Sequence, residues 1–305
     1  MKAEVSWIGV DWGTSRLRAW AMNGSDAIIA ETQSDDGMGR LDKAQFEPAL
    51  LAQIADWLPE HRVTPVIACG MVGARQGWTE AAYVPVPTPP LSARGFTAAP
   101  CQDPRITVWI IPGLKQLAPP DVIRGEETQI AGLLAKRPDF GGTVCMPGTH
   151  SKWVQVEDGH ITAFQTCMTG EIFALLEQAS ILRHSMQAGG LDDAVFRSTV
   201  ADALHNRGSV MSHLFAIRAD DLLNGVPASA SRARLSANLI SSELQATAEF
   251  WRDQPVLLLG AQALVEHYAV ALEVAGASCE IVDGRELTIT GLIAARHLFA
   301  GAPHA

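Results

Sequence analysis

No dense cluster of lysine and arginine occurs anywhere along the chain, and the formal net charge is −10. Nucleic acid, which needs a basic face, is not expected as a partner. Long hydrophobic runs are also missing: none could span a bilayer, so no membrane role is expected. The five cysteines, at 69, 101, 145, 167 and 279, form no C-x-x-C pair and are odd in number. That pattern argues for reduced, buried thiols in a cytoplasmic protein rather than a disulfide framework. No signal peptide is expected either, because a core strand is read from about Val5. What the chain has in quantity is apolar residues, 48% of 305, enough for two domains with substantial cores.

The stretch Ile8 to Ala19 organises the rest. Val5, Trp7, Ile8 and Val10 read as a buried strand, followed by an Asp-Trp-Gly-Thr-Ser turn and an alternating strand from Leu17 to Met22. Asn23-Gly24 suits a tight hairpin because both residues tolerate positive φ, and a third strand follows from Ala27 to Glu31. Gly13 lets the backbone approach a ligand, and successive N–H groups there can form an anion-binding nest with Thr14. Asp11, at the strand end, could hold a divalent cation through water, as magnesium prefers. The same pattern returns at Gly142 to Phe164, where a strand to Met146 runs into Pro147-Gly148-Thr149-His150-Ser151-Lys152. Asn23 and Asp158 each open a turn ten residues after the corresponding glycine, Gly13 or Gly148. Two such units imply a duplicated α/β domain with two facing phosphate loops.

Between and after these units the chain alternates strands and helices. Phe46 to Leu58 has helical spacing, and Val63 to Ala68 reads as a buried parallel strand. It feeds the loop Gly70-Met71-Val72-Gly73 to Trp78, beyond a strand's carboxyl end, where open α/β sheets bind ligands. There Arg75 could pair with a ligand carboxylate and Trp78 form an apolar wall, although a lone loop arginine is more often solvated. In the second unit Lys152 is either a phosphate partner or an outward strand residue, and His150 either a phosphate donor or a structural histidine. Thr169-Gly170 opens a helix and suits an anion. The run 209–223 reads as a helix with Met211, Leu214, Phe215 and Ile217 as core.

The paired loops resemble those of the sugar kinase, heat-shock ATPase and actin superfamily, in which two ribonuclease-H-like halves close on ATP. More narrowly the chain resembles the 2-keto-3-deoxygalactonate kinase family. The strings that carry this are Val10 to Thr14, Leu17 to Trp20, Gly70 to Gly73, Gly77-Trp78, Ile111 to Gly113, Arg124-Gly125-Glu126-Glu127-Thr128-Gln129, Met146 to His150, Lys152 to Val154 and Met168 to Glu171. The resemblance implies two ribonuclease-H-like domains, 1–135 and 136–305, with the active site in a cleft between them. It implies ATP and Mg2+ as cofactors, a small sugar acid as substrate, Asp11 as the metal residue and a homodimer as one assembly state. It places substrate contacts near Trp12, Gly37, Met38, Gly70, Met71 and Arg124, and the adenosine corner at Gly260-Ala261. Phosphoryl transfer to a hydroxyl needs a carboxylate to accept its proton, which points to Glu126 slightly ahead of Glu127, with Asp121 as fallback. Acidic residues in a first helical turn are also ordinary dipole partners. The chain departs from the wider pattern at Met146, where many relatives carry aspartate, and at Ala237 and Ser241, where the family has glycines. The activity implied is ATP-dependent phosphorylation of 2-keto-3-deoxygalactonate to its 6-phosphate in galactonate catabolism. Alternatives are a kinase for another keto-deoxy sugar acid, a phosphohydrolase, or a sensor without transfer chemistry.

Overall fold

The structure, a computed structural model, describes residues 4–186, 189–205 and 210–301. The chain divides into two compact units. The first holds Met1–Phe140, Glu157–Ala163 and Gly284–Ala305, the second Gly141–Val156 and Phe164–Asp283. The first long boundary falls between Phe140 and Gly141, against the 135/136 expected from the sequence, and the C-terminal helix groups with the first unit.

In the first unit β1 (Trp7–Trp12), β2 (Leu17–Met22) and β3 (Ile28–Ser34) form an antiparallel meander. Helix α1 (Phe46–Ile54) leads to β4 (Thr64–Gly70), which runs parallel to β1 with Asp11 opposite Cys69 and Trp12 opposite Gly70. Short strands β5 (Tyr83–Pro85) and β6 (Thr97–Ala98) precede β7 (Ile106–Ile110), parallel to β4. The main sheet has the order β3-β2-β1-β4-β7-β6. Strands β8 (Gly113–Leu117) and β9 (Pro120–Ile123) join β5 in a small separate sheet, and α2 (Glu126–Lys136) follows. Trp12, Phe46 and Trp78 pack ring against ring in the core, with centroids 5.1–6.3 Å apart.

The second unit repeats this plan. Strands β10 (Gly142–Met146), β11 (Ser151–Glu157), β12 (His160–Cys167), β13 (Val256–Leu259) and β14 (Cys279–Val282) take the order β12-β11-β10-β13-β14. This matches β3-β2-β1-β4-β7 strand for strand, antiparallel across the hairpin and parallel beyond it. The expected duplication is present in the topology. Between β12 and β13 lie α3 (Thr169–Ala179), α4 (Asp193–His205), α5 (Val210–Asn224), α6 (Ala228–Ala246) and the single turn α7 (Ala248–Trp251). Helix α8 (Gln262–Val274) connects β13 to β14. Ser209 lies outside the described residues. In α5 itself Met211 is 75% and Phe215 66% exposed while Ile217 is buried, so only part of the expected core of that helix is core. Periodicity located the helix, but its apolar residues cover more than one face and the neighbouring helices take only one.

The last helix, α9 (Gly284–Gly301), belongs to the first unit and packs along α2. Two glycines make this possible. A Cβ on Gly132 would meet the Leu287 carbonyl, and a Cβ on Gly291 would meet the Thr128 carbonyl, each well inside van der Waals contact. All five cysteines are free, Cys69 and Cys145 fully buried. No helix among the described residues is long and apolar enough to cross a membrane.

Candidate active site

In the first unit three chain segments converge on Asp11. Residue 70 ends β4 with φ +90°, and a Cβ there would lie 2.8 Å from the Trp12 carbonyl oxygen and 3.6 Å from Asp11 Oδ1. Gly125, with φ +106°, precedes α2 and would bring a Cβ within 3.3 Å of the Gly70 Cα. Both positions need a residue without a side chain, because positive φ and close approach coincide there. The result sets the first turn of α2 beside the Asp11 carboxylate. Burial raises the Asp11 pKa, the Arg18 guanidinium opposes that rise, and the negative charge of Glu126 adds to it. Arg18 Nη1 donates to Asp11 Oδ2 at 3.1 Å from the paired position on β2. Cys69 Sγ lies 4.0 Å from Asp11 Oδ1, and its thiol is held well above its usual range by burial and by the charges of Asp11 and Glu127.

The two glutamates differ sharply. Glu126 is partly exposed and its Oε2 accepts from the Arg124 backbone N–H at 2.8 Å. Glu127 has no exposed surface; its Oε2 accepts from the Gly125 N–H at 2.7 Å and its Oε1 lies 3.0 Å from Thr128 Oγ1. Burial, reinforced by the charge of Glu126, pushes the Glu127 pKa from 4.5 to about 8. Below about pH 4.5 folded and unfolded chains both carry this proton. Between there and pH 8 only the folded chain keeps it, so stability falls as pH rises, by about 1.4 kcal/mol per pH unit. Glu127→Gln stays neutral and escapes this loss. Between about pH 5.5 and 8.5 the variant should gain about 3 kcal/mol on the parent in paired denaturant titrations. An unchanged difference between the two proteins would mean that Glu127 is ionised in the folded state.

The loop at 35–40 sits on the Gly13-Thr14 turn. Met38 N–H donates to the Gly13 carbonyl at 3.0 Å and Gly39 N–H to the Thr14 carbonyl at 2.9 Å, while a Cβ on Gly37 would collide with the Thr14 and Ser15 backbone. Trp12 is buried and its indole N–H donates to the Asp36 carbonyl at 2.8 Å, so it anchors this loop from below. The Gly13 N–H is taken by the Arg16 carbonyl at 2.9 Å, which removes one donor from the expected anion nest.

Three expected substrate contacts turn elsewhere. The Arg75 side chain is 81% exposed and faces Glu80 at 3.4 Å, because its loop turns outward there. Trp78 stands in the core beside Trp12 and Phe46, so it supports the loop instead of walling a pocket. Arg124 is buried: its Nη2 donates to the Ala81 carbonyl at 2.8 Å and its guanidinium covers the Tyr83 ring at 4.2 Å. It braces the segment that follows Gly73 against the start of α2, and Nη1 has no hydrogen-bond partner among the described residues. Asp121 lies on β9, accepting from the Val122 N–H at 2.7 Å, away from the helix start where the glutamates sit. Met71 stands partly exposed immediately after Gly70.

The second unit builds its own loop. A Cβ on Gly170 would collide with the Gly148 carbonyl, and one on Gly260 would lie 3.0 Å from the Pro147 carbonyl oxygen. Glu171 N–H donates to the Thr149 carbonyl at 2.9 Å, and the His150 ring contacts the Glu171 carboxylate. Gly148, Thr149, Gly170 and Gly260 are thus brought together, with Ala261 exposed next in the chain. The Thr169 hydroxyl, however, points inward to Glu243 rather than toward a phosphate. Lys152 is buried and donates to the His150 carbonyl at 3.2 Å, so of its two readings the outward strand residue does not hold. Lys152 pairs with Met146 as Arg18 pairs with Asp11, and Met146 offers it no carboxylate. The Cβ atoms at Ala237 and Ser241 are accommodated inside the helical core. Sequence reasoning missed Arg18, Cys69 and Glu243. The first two could have been found from strand pairing; Glu243 ends the string Leu235 to Glu243 that resembles the family's Leu-Ser-Gly…Leu-Ile-Gly…Glu pattern, but no role was read for it there.

A sheet order repeated in two units, each with a glycine loop at the end of its first strand, defines a duplicated two-unit α/β protein. The family model described as 2-keto-3-deoxy-galactonokinase matches residues 11–295, and the chain belongs to that family of sugar-acid kinases. It is 40% identical over 294 residues to a Rhizobium meliloti protein named "Probable 2-dehydro-3-deoxygalactonokinase", covering 94% of this chain and 95% of the other. It is 33% identical to the Escherichia coli 2-dehydro-3-deoxygalactonokinase, covering 96% and 98%. A crystal structure of a Sinorhizobium meliloti protein described as a 2-dehydro-3-deoxygalactonokinase superposes with a TM-score of 0.88 at 37% identity, covering 98% of both chains.

Proposed function

We propose that this protein transfers the γ-phosphoryl group of ATP to the terminal hydroxyl of 2-keto-3-deoxygalactonate, giving the 6-phosphate. The observation that carries the reading is the family match over residues 11–295, which includes Asp11, α2 and both glycine loops. In the reaction the sugar hydroxyl oxygen attacks the γ-phosphorus, the bond to the β-phosphate oxygen breaks, and ADP leaves with that electron pair. Glu126 accepts the hydroxyl proton. It is the exposed member of the glutamate pair, whereas buried Glu127 holds a proton at neutral pH and fixes the Gly125 N–H. The loops around Gly13-Thr14 and Gly148-Thr149 hold the nucleotide phosphates, and Gly260-Ala261 borders the adenosine. The buried Arg124 guanidinium supplies positive potential near the start of α2, which favours an acidic sugar over a neutral one.

Asp11 would hold a magnesium ion together with water and the nucleotide phosphates, and the ion would supply charge neutralisation there. The residues fit this: Asp11 is a partly open carboxylate, and among the described residues no cluster of three or more His, Cys, Asp or Glu could hold a metal alone. Mg2+ is commonly held by one or two carboxylates, waters and substrate phosphates. Asp11→Asn should raise the magnesium needed for half-maximal rate by roughly 10–100-fold. Titrating free Mg2+ at saturating ATP checks this, and an unchanged midpoint would remove Asp11 from metal binding.

The test of the activity is ADP release with magnesium and ATP across 2-keto-3-deoxygalactonate, 2-keto-3-deoxygluconate, galactonate, glucose and a blank without sugar. Release specific to 2-keto-3-deoxygalactonate supports the assignment. Release without sugar identifies a phosphohydrolase, and preference for another acid moves the substrate within the same class.

A further inference from the structure

Beneath the second glycine loop lies a buried carboxylate that the transfer chemistry does not use. Glu243, on α6, is 4% exposed. Its Oε1 accepts from the Trp153 indole N–H at 2.7 Å. Its Oε2 accepts from the Tyr268 hydroxyl at 2.8 Å and from the Thr169 hydroxyl. The Tyr268 hydroxyl in turn meets Ser151 Oγ at 2.8 Å. All five side chains are buried. They come from β11, α3, α6 and α8, segments far apart in sequence.

A carboxylate is a costly way to fill a core, since desolvating it is offset only by full hydrogen bonding. This one is fully hydrogen-bonded, and what it binds is informative. Ser151 directly follows the loop Pro147–His150, and Thr169 directly precedes Gly170, whose backbone packs on the Gly148 carbonyl. Glu243 therefore holds both flanks of the second glycine loop, one through Thr169 and the other through Tyr268 to Ser151 and through Trp153. An apolar residue could fill the volume without fixing either hydroxyl.

We infer that Glu243 is a positioning residue for nucleotide binding, setting the second glycine loop by clamping its two ends. The inference rests on the nucleotide-loop reading given above. Its consequence is a selective change in ATP affinity: Glu243→Ala raises the ATP KM about tenfold, leaves the sugar-acid KM within twofold, and weakens binding of a non-hydrolysable ATP analogue in calorimetry by a similar factor. Glu243→Gln, which can accept from Trp153 and donate to both hydroxyls, recovers most of the loss. Should Glu243→Ala not fold, Thr169→Val removes one clamp and is expected to raise the ATP KM three- to fivefold. An unchanged analogue affinity in both variants, or equal rises in both KM values, overturns the inference while the kinase reading stands. A wild-type protein that binds no nucleotide overturns the reading beneath it as well.

Discussion

Glu126→Gln should lower kcat by roughly 10²–10⁴-fold while leaving both KM values close to those of the parent. The residue offers the partly exposed carboxylate at the start of α2, beside Asp11, and amide substitution removes its basicity with little change of shape. Its other role would be that of a negative group near a helix N-terminus, worth roughly 0.3–1 kcal/mol, or at most about fivefold if all of it appeared in the rate. The two roles are separable by magnitude. Steady-state kinetics at saturating ATP and sugar acid decides between them, and a fall of less than about fivefold would return Glu126 to a structural part. Glu127→Gln should lose far less activity, because its buried carboxyl already behaves as a neutral group at pH 7 and its bond to Gly125 N–H survives in the amide. Asp121→Asn should match the parent.

Strand alternation and turn dipeptides carried the architecture. Hairpins expected at Asn23-Gly24 and Asp158-Gly159 stand in equivalent places, the second with positive φ at both residues and the first as a longer turn in which Asp26 takes the positive φ, and the strand orders repeat accordingly. The placement of Asp11 at a strand end and of Glu126 in a first helical turn was readable for the same reason, since each follows from local pattern. What a loop side chain faces was not readable. Arg75 and Trp78 are three residues apart, yet one is solvated beside Glu80 and the other is buried against Phe46, a distinction made by long-range packing. The role of Glu243, though not its place in a family-like string, was hidden because its donors Thr169 and Trp153 lie 74 and 90 residues away. The fate of the last helix was also decided at a distance, by two glycines that look like defects in their own helices.

Those glycines carry the largest expected effect on stability. In an exposed helix interior, glycine to alanine gains about 1 kcal/mol. At Gly132 the added Cβ would overlap the Leu287 carbonyl and come within 2.9 Å of the Gly291 N, and at Gly291 it would overlap the Thr128 carbonyl. The obstacle is backbone, which cannot rotate aside, so α2 and α9 must separate. Overpacking usually costs about 1–3 kcal/mol, and contact with main chain places these sites at the upper end or beyond. Gly132→Ala or Gly291→Ala should therefore lose about 3 kcal/mol, which lowers Tm by roughly 4–6 °C for a chain of this size. Activity should fall further than the folded fraction does, because α2 carries Glu126 and Glu127 in its first turn. The double variant distinguishes this cause from a general weakening of two helices. Once one Cβ has forced the axes apart, the second enters space already opened, so the combined loss should fall short of the two single losses added together. Strict additivity in denaturant titrations would show that the glycines act independently and that the close approach of α2 and α9 is not what they serve.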